Sequence, residues 1–258
     1  MAYTVKHINE KLIQIRDEFK DTIYIVKGKS RSILWDLGMD KEALKPLADS
    51  LCDTEYDVVC SHGHLDHVGR SGEFDHIYMS LEDMPVYNDN PPGLCYIDRD
   101  KIKDMSVQFD LGDRVVDIIP CAGHTPGSVL LLDKENRFVL TGDAIGSGCG
   151  CWMQVSYALN MTEYRHSLLE CIEVLKSHGV NDEWNFYGGH ADQEYMSRTG
   201  SYNRLDIHLM EDMARLCALL LEGKVPYEPS QAKEFPVGKP YFAMHKKAEM
   251  VFALENMK

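Results

Sequence analysis

The stretch His62-Gly63-His64-Leu65-Asp66-His67 is the starting point, because three imidazoles and a carboxylate fall within six residues. It follows Asp57-Val58-Val59-Cys60, a short apolar run that predicts a β-strand. A random chain of this composition would contain the pattern about 0.002 times, so chance is a poor explanation. Imidazole and carboxylate suit Zn²⁺, Fe or Mn²⁺, and two ligand pairs on one short loop suggest two metals. The alternative is a His-rich surface loop without a ligand.

Three further positions share the setting of this stretch. His124 lies in Gly-His-Thr-Pro-Gly-Ser, Asp143 closes Thr-Gly-Asp, and His190 closes Gly-Gly-His. Each follows the carboxyl end of a predicted strand and stands beside glycine, which is where α/β sheets present ligands. Any one alone would more often be a turn residue. Together with the first stretch they make a set of seven candidate ligands.

The remaining pattern predicts an α/β chain. Alternating apolar residues indicate strands at 12–17, 22–28, 31–38, 57–60, 76–79 and 115–120, and a hairpin over 128–143. Apolar residues at helical spacing predict helices over 40–51, with a kink or break at Pro46, over 162–177, with Thr162 as N-cap, and over about 202–222. The tail 241–254 fits strand and helix equally. No Gly/Ser-rich linker divides residues 1–258, so we expect one domain, with 200–258 as a C-terminal helical and loop embellishment.

The order HxHxDH, lone His, lone Asp, lone His resembles the dinuclear ligand pattern of the metallo-β-lactamase superfamily over roughly residues 10–195. The segments around His124 and Asp143 are more similar to the glyoxalase II and lactonase-like branch than to true β-lactamases. The resemblance implies a four-layer αββα sandwich with metals at one edge, between two sheets. It assigns His62, His64 and His124 to the first metal.

For the second metal, the resemblance implies Asp66, His67 and His190, with Asp143 bridging both metals. It implies two divalent cations, zinc first and Fe or Mn as alternatives, and a metal-bridging hydroxide as nucleophile. Asp66 would also act catalytically by orienting that hydroxide or carrying its proton. The expected activity is hydrolysis of a small-molecule ester, thioester or lactone-like bond.

Other reactions stay open at this stage. A phosphodiesterase could use the same metals, and an iron-dependent persulfide dioxygenase would need only one metal, although His67 and His190 argue against it. A non-enzymatic scaffold would be expected to have lost ligands. The glutathione-thioester hydrolases that this chain resembles carry a Lys and a Tyr where it has Gly148-Cys149-Gly150-Cys151-Trp152, which argues against glutathione thioesters.

Aromatic residues near the predicted ligands are candidates for substrate contact. They are Trp152, Tyr157, Tyr202 and Tyr241. An anionic substrate could be met by Arg198, Arg204 or Lys239, and outer hydrogen bonds to the histidines could come from Thr125, Ser61 and Ser128. The pair Cys149 and Cys151 could bind metal or form a disulfide, but free loop thiols are the simpler interpretation.

Composition narrows the classes of partner. The chain has 258 residues, 44% of them hydrophobic, and a net charge of −14. An acidic chain repels phosphate backbones and anionic lipid, so we expect a small-molecule substrate, no nucleic acid and no membrane. The amino terminus does not resemble a signal peptide, and no apolar run reaches the ~18 residues of a membrane span, so the expected compartment is the cytoplasm, with eight reduced cysteines. Whether the chain forms a homo-oligomer stays open.

Overall fold

The strands at Leu12–Arg16, Thr22–Val26 and Ser32–Trp35 carry buried side chains on both faces, so the sheet that contains them is covered on both sides. The computed structural model describes residues 3–146, 150–190, 205–231 and 237–257. Its first sheet has seven strands in sequence order, antiparallel from the first to the fourth and parallel from the fourth to the seventh. They are β1 Thr4–His7, β2 Leu12–Arg16, β3 Thr22–Val26, β4 Ser32–Trp35, β5 Tyr56–Val59, β6 Ile77–Tyr78 and β7 Ile102–Lys103.

The second sheet lies against the first through a shared apolar layer. Its order is β13-β11-β10-β9-β8, with β13 parallel to β11 and the other pairs antiparallel. The strands are β8 Gln108–Asp110, β9 Val115–Pro120, β10 Val129–Asp133, β11 Phe138–Gly142 and β13 Asn185–Gly188. The predicted hairpin is therefore the pair β10 and β11.

Alternation along the strands separates three apolar layers. Tyr24 and Trp35 of the first sheet and Leu131 of the second belong to the cluster between the sheets. Neighbours such as Ile25 point to the outer helices on one side, and Leu130 points to those on the other. The layers are thus helix, sheet, sheet, helix, and the expected four-layer αββα sandwich is confirmed.

Five α-helices complete the layers in the described residues: α1 Lys45–Leu51, α2 Leu65–Val68, α3 Met84–Asn88, α4 Met161–Ser177 and α5 Ile207–Leu221. The predicted helix start at residue 40 is wrong. Helix α1 begins at Lys45, with Pro46 in its first turn, where no N–H is needed, so the predicted helix is broken at this proline rather than kinked. The predicted cap at Thr162 is also wrong, because Asn160 accepts the N–H groups of Thr162 and Glu163 in a capping box.

The C-terminal tail is an antiparallel hairpin of β15 Tyr241–His245 and β16 Ala248–Phe252. It forms a four-stranded sheet with β14 Glu228–Pro229 and with β12 Cys151–Trp152, which pairs in parallel with β16. No helix in these described ranges combines the length and hydropathy needed to cross a bilayer. The seven cysteines that they contain are free thiols; Cys149 lies outside them.

Candidate metal centre

The motif loop joins the end of β5 to the short helix α2. Two residues separate the strand end at Val59 from His62 and Gly63, and His64 is the extended residue that precedes the helix. Asp66 and His67 then lie on the helix itself. The backbone changes from extended to helical between His64 and Leu65. His62 and His64 therefore belong to one group of candidate ligands, and Asp66 and His67 to another.

Three imidazoles form the first ligand cluster, which we define as His62, His64 and His124. Nε2 of His62 is 3.1 Å from Nδ1 of His64, which is 3.0 Å from Nε2 of His124. Burial, followed by the repulsion of neighbouring imidazoles, lowers the pKa of His62 well below its ordinary value. The same causes lower the pKa of His64 to about 3. Neutral imidazole is the form that binds a metal, so His62 and His64 are held in the form that a ligand needs.

The second ligand cluster consists of Asp66, His67, Asp143 and His190. Nε2 of His190 lies 3.2 Å from Oδ2 of Asp143 and 3.4 Å from Oδ2 of Asp66. Nε2 of His67 is 3.7 Å from Asp143 and 3.8 Å from Asp66. It is buried, yet it makes no hydrogen bond, which is the state expected of a nitrogen that is placed for a cation.

Asp143 stands between the two clusters at the end of β11. Its Oδ2 atom is 3.8 Å from Nε2 of His124 in the first cluster and 3.2 Å from Nε2 of His190 in the second. A Cβ atom at Gly189 would lie 2.4 Å from Oδ1 of Asp143, so only glycine allows this approach. Asp143 is therefore the one member of the second cluster whose carboxylate faces a histidine of each cluster.

Buried groups hold the outer nitrogens of four of these histidines. Nδ1 of His67 pairs with Asp36 at 2.9 Å, and Nδ1 of His190 pairs with Asp21 at 3.1 Å. Nδ1 of His62 is 3.0 Å from Oγ of Ser61, and Nδ1 of His124 is 2.6 Å from the carbonyl oxygen of Trp152. Such partners fix ring orientation and leave the inner nitrogen to a metal. Imidazole and carboxylate donors with this support fit divalent cations such as Zn²⁺, Fe²⁺ or Mn²⁺.

All seven residues that the sequence assigned to metal binding come together in the structure. Of the expected outer partners, Ser61 contacts His62. Thr125 and Ser128 instead bond to each other, and Thr125 also bonds to Asp83. The carboxylates of Asp36 and Asp21 were missed. Asp36 follows the end of β4, so the rule that led to Asp143 and His190 could have found it.

The candidate substrate contacts separate in space. Trp152 lies beside the first cluster through its carbonyl oxygen, and the exposed Tyr157 donates to Asp89 at 2.8 Å. Tyr241, on β15, packs against Tyr227 and Phe252 at the C-terminal sheet. Tyr202, Arg198 and Arg204 lie outside the described residues.

The family model of the metallo-β-lactamase superfamily matches residues 16–176. Among curated proteins, the acyl-coenzyme A thioesterase MBLAC2 of Homo sapiens is 21% identical over a 267-residue alignment covering 83% of this chain and 94% of the relative. An uncharacterized protein of Aquifex aeolicus is 31% identical over 109 residues, covering 37% of this chain and 52% of the relative.

Solved structures share the fold at low identity. A metallo-β-lactamase from Pontibacter korlensis superposes with a TM-score of 0.61 at 14% identity, covering 84% of this chain and 99% of that one. The DIM-1 metallo-β-lactamase also gives 0.61 at 14% identity, covering 85% and 99%. At this identity the superpositions support the sandwich architecture and carry no information on the substrate.

Proposed function

Since the chain belongs to the metallo-β-lactamase superfamily and is a metal-dependent hydrolase, we propose that it uses two divalent cations to cleave an ester, thioester or lactone-like bond in a small molecule. The observation that carries the proposal is the pair of ligand clusters that face one shared carboxylate, Asp143. Within that class, the acyl-coenzyme A thioesterases among the relatives favour a thioester as the first substrate to test.

Each residue then has a definite task. His62, His64 and His124 would hold one cation, Asp66, His67 and His190 the other, and Asp143 would contact both. Bound divalent cations supply a water of lowered pKa as the nucleophile and polarise the oxygen of the scissile carbonyl. The chain contributes rigid placement, because Ser61, Asp36, Asp21 and the Trp152 carbonyl hold the outer ring nitrogens.

We assign to Asp66 the role of accepting the proton of the attacking water. Asp66 is the most exposed carboxylate of its cluster, with 22% of the side chain accessible. Burial would raise its pKa, but His67 and His190 outweigh burial and keep the pKa below its ordinary value. An ionised carboxylate beside the reacting water can orient that water and accept its proton.

Two aromatic residues near the first cluster are assigned to the substrate wall. We assign Trp152 because its carbonyl oxygen contacts His124 of the first cluster. Tyr157 has φ 69°, a left-handed conformation that is costly for a side chain of this size, and its hydroxyl reaches Asp89. Asn90, which follows Asp89 in the chain, donates to the carbonyl oxygen of Gly63 in the motif loop. The Tyr157–Asp89 pair therefore lies next to that loop.

The proposal is tested by metal analysis and a substrate panel. Protein purified without chelator should hold about two metal ions per chain, zinc first, and should hydrolyse an acyl thioester faster than a phosphodiester. One ion per chain that added metal cannot increase, with oxygen uptake on a persulfide, would establish a mononuclear dioxygenase instead. Turnover of the phosphodiester alone would also overturn the proposed substrate class.

The partner and compartment assignments stay predictions. A net charge of −14 predicts that RNA and DNA do not bind at submicromolar concentration, and a salt-dependent titration checks this. Submicromolar binding that weakens with salt would contradict it. Fractionation of cells that express the full chain tests the cytoplasmic location, and light scattering determines the oligomeric state.

A further inference from the structure

Asp83 is a fully buried carboxylate that belongs to neither ligand cluster. It ends the 3₁₀ turn Leu81–Asp83, immediately before α3, and so lies outside the loops that carry the histidines. Burying an ionised carboxylate is unfavourable unless hydrogen bonds satisfy it. Burial does raise the pKa of this group, while its hydrogen bonds oppose the rise. Simple packing does not require a carboxylate here.

The partners of Asp83 lie in two different ligand loops. Its Oδ2 accepts the N–H of Gly63 at 2.7 Å, and Gly63 stands between His62 and His64. The same oxygen accepts the hydroxyl of Thr125 at 2.7 Å, and Thr125 follows His124. Oδ1 accepts the N–H of Gly127 at 2.6 Å. One carboxylate therefore joins the loop after β5 to the loop after β9.

The glycines in these loops show how closely both backbones approach Asp83. A Cβ atom at Gly63 would lie 3.0 Å from the carbonyl oxygen of Asp83. A Cβ atom at Gly127 would lie 2.8 Å from the carboxyl carbon. Gly127 has no room for a side chain and Gly63 has very little, so both loops pack closely around Asp83.

The two loops leave different sheets, since β5 belongs to the first sheet and β9 to the second. The first cluster depends on their relative position, because His62 and His64 come from one loop and His124 from the other. The second cluster draws its histidines from α2 and from the end of β13, and their outer partners are Asp36 and Asp21. The hydrogen bonds of Asp83 to both loops therefore affect the geometry of the first cluster.

We propose that Asp83 is a positioning residue that sets the geometry of His62, His64 and His124 and selectively controls cation affinity at that cluster. This inference rests on the proposed function only in taking the clusters as two cation sites. Losing a group that supports a ligand from behind reduces metal affinity about 10- to 100-fold. The loss should fall on one site, whereas a general loss of stability would affect both.

The test measures Zn²⁺ affinity in two backgrounds of the full chain, after removal of metal. His190→Ala disables the second cluster and leaves the first, whereas His64→Ala does the reverse. Asp83→Asn should weaken Zn²⁺ binding at least about tenfold in the His190→Ala background and less than about twofold in the His64→Ala background. The control Glu82→Gln, an exposed neighbour, should change neither affinity.

Equal weakening in both backgrounds would overturn the proposal, and so would unchanged affinity in the His190→Ala background. If Asp83→Asn fails to fold by circular dichroism, Thr125→Val and Thr125→Ser decide the question in the same way. The valine should weaken the first cluster, and the serine, which keeps the hydroxyl, should restore it. If the wild-type protein binds only one Zn²⁺, the two-cation function is overturned. The effect of Asp83→Asn on Zn²⁺ affinity in the His190→Ala background still tests the role of Asp83.

Discussion

The two ligand clusters lie side by side but differ in charge. The first consists of three imidazoles, and the partners behind its rings are neutral, namely Oγ of Ser61 and the carbonyl of Trp152. The second contains two carboxylates, and two more, Asp36 and Asp21, lie behind its histidines. Burial raises the pKa of Asp21 to about 7, although its bond to His190 opposes the rise.

This difference indicates how each cluster would hold a cation. A dication at the second cluster is attracted by carboxylates in a buried setting, where Coulomb interactions are strong. At the first cluster no carboxylate is a member, so attraction by charge is weaker and affinity depends on how accurately three imidazole rings converge. The first cluster should therefore respond to changes in loop geometry, and the second to changes in carboxylate charge.

The largest expected effect comes from Asp143→Ala, which removes the carboxylate that faces both clusters. Turnover should fall at least about 100-fold, because the nucleophile loses its fixed position, and at least one metal should be lost. The fold should persist, so far-UV circular dichroism should change little. Activity assays, elemental analysis and circular dichroism on one preparation check this. Near-wild-type turnover with two metals bound would break the assignment of Asp143 to both clusters.

Asp21→Asn sharpens the charge contrast. It removes a buried carboxylate behind His190 while keeping a similar shape. We expect about a 10- to 100-fold loss of metal affinity at the second cluster and little change at the first. Ser61→Ala removes the neutral partner of His62 and should weaken the first cluster less than Asp21→Asn weakens the second. The same hydroxyl donates to Asp36 behind His67, so the effect of Ser61→Ala is measured at the first cluster. Competition with a chelator measures both, and equal losses would contradict the contrast.

Tyr164→Phe tests how much a buried hydroxyl that lies near Asp143 and His124 contributes to stability. The Tyr164 hydroxyl donates to the carbonyl oxygen of Ala144, next to Asp143, at 2.7 Å. Its ring lies against Gly123, next to His124, where a Cβ atom would be 2.0 Å from the ring. Loss of the hydroxyl leaves the buried Ala144 carbonyl with only a 4.0 Å contact from the Cys151 thiol, so the free energy of unfolding should fall by about 1–3 kcal/mol.

Urea unfolding of metal-free protein measures this change. The control Tyr227→Phe alters a half-exposed ring and should shift the free energy of unfolding by less than about 0.5 kcal/mol. An equal shift in both variants would show that the Tyr164 hydroxyl gives no particular support.

His166→Ala should have the smallest effect. The side chain of His166 is 74% exposed on α4, and its ion pair is with Glu170, one turn along the same helix. Exposed pairs of this kind contribute little. Turnover should stay within about twofold and the free energy of unfolding within about 0.5 kcal/mol of wild type. A large loss of activity would show that a histidine outside both clusters takes part in the reaction.

Local pattern was sufficient for most of the fold. Strong alternation marked β2, β3 and β4, and helical spacing marked α4. The edge strand β1 escaped notice because its residues are largely exposed, so they carry little of the apolar alternation that marks a strand. The tail 241–254 could not be assigned, since a run rich in Ala and Met suits either element until β16 pairs with β12.

The sequence by itself identified the seven candidate ligands, because histidine and aspartate beside glycine at strand ends leave a local signature. Only the tertiary structure decided which groups stand behind them. Asp36 bonds to His67 across 31 positions, and Asp83 bonds to Thr125 across 42. Asp36 shares the strand-end position of Asp143, but no local pattern separates Asp83 from the rest of the 41 acidic residues. What distinguishes both carboxylates is burial against loops far away in the chain, which exists only once the two sheets have packed together.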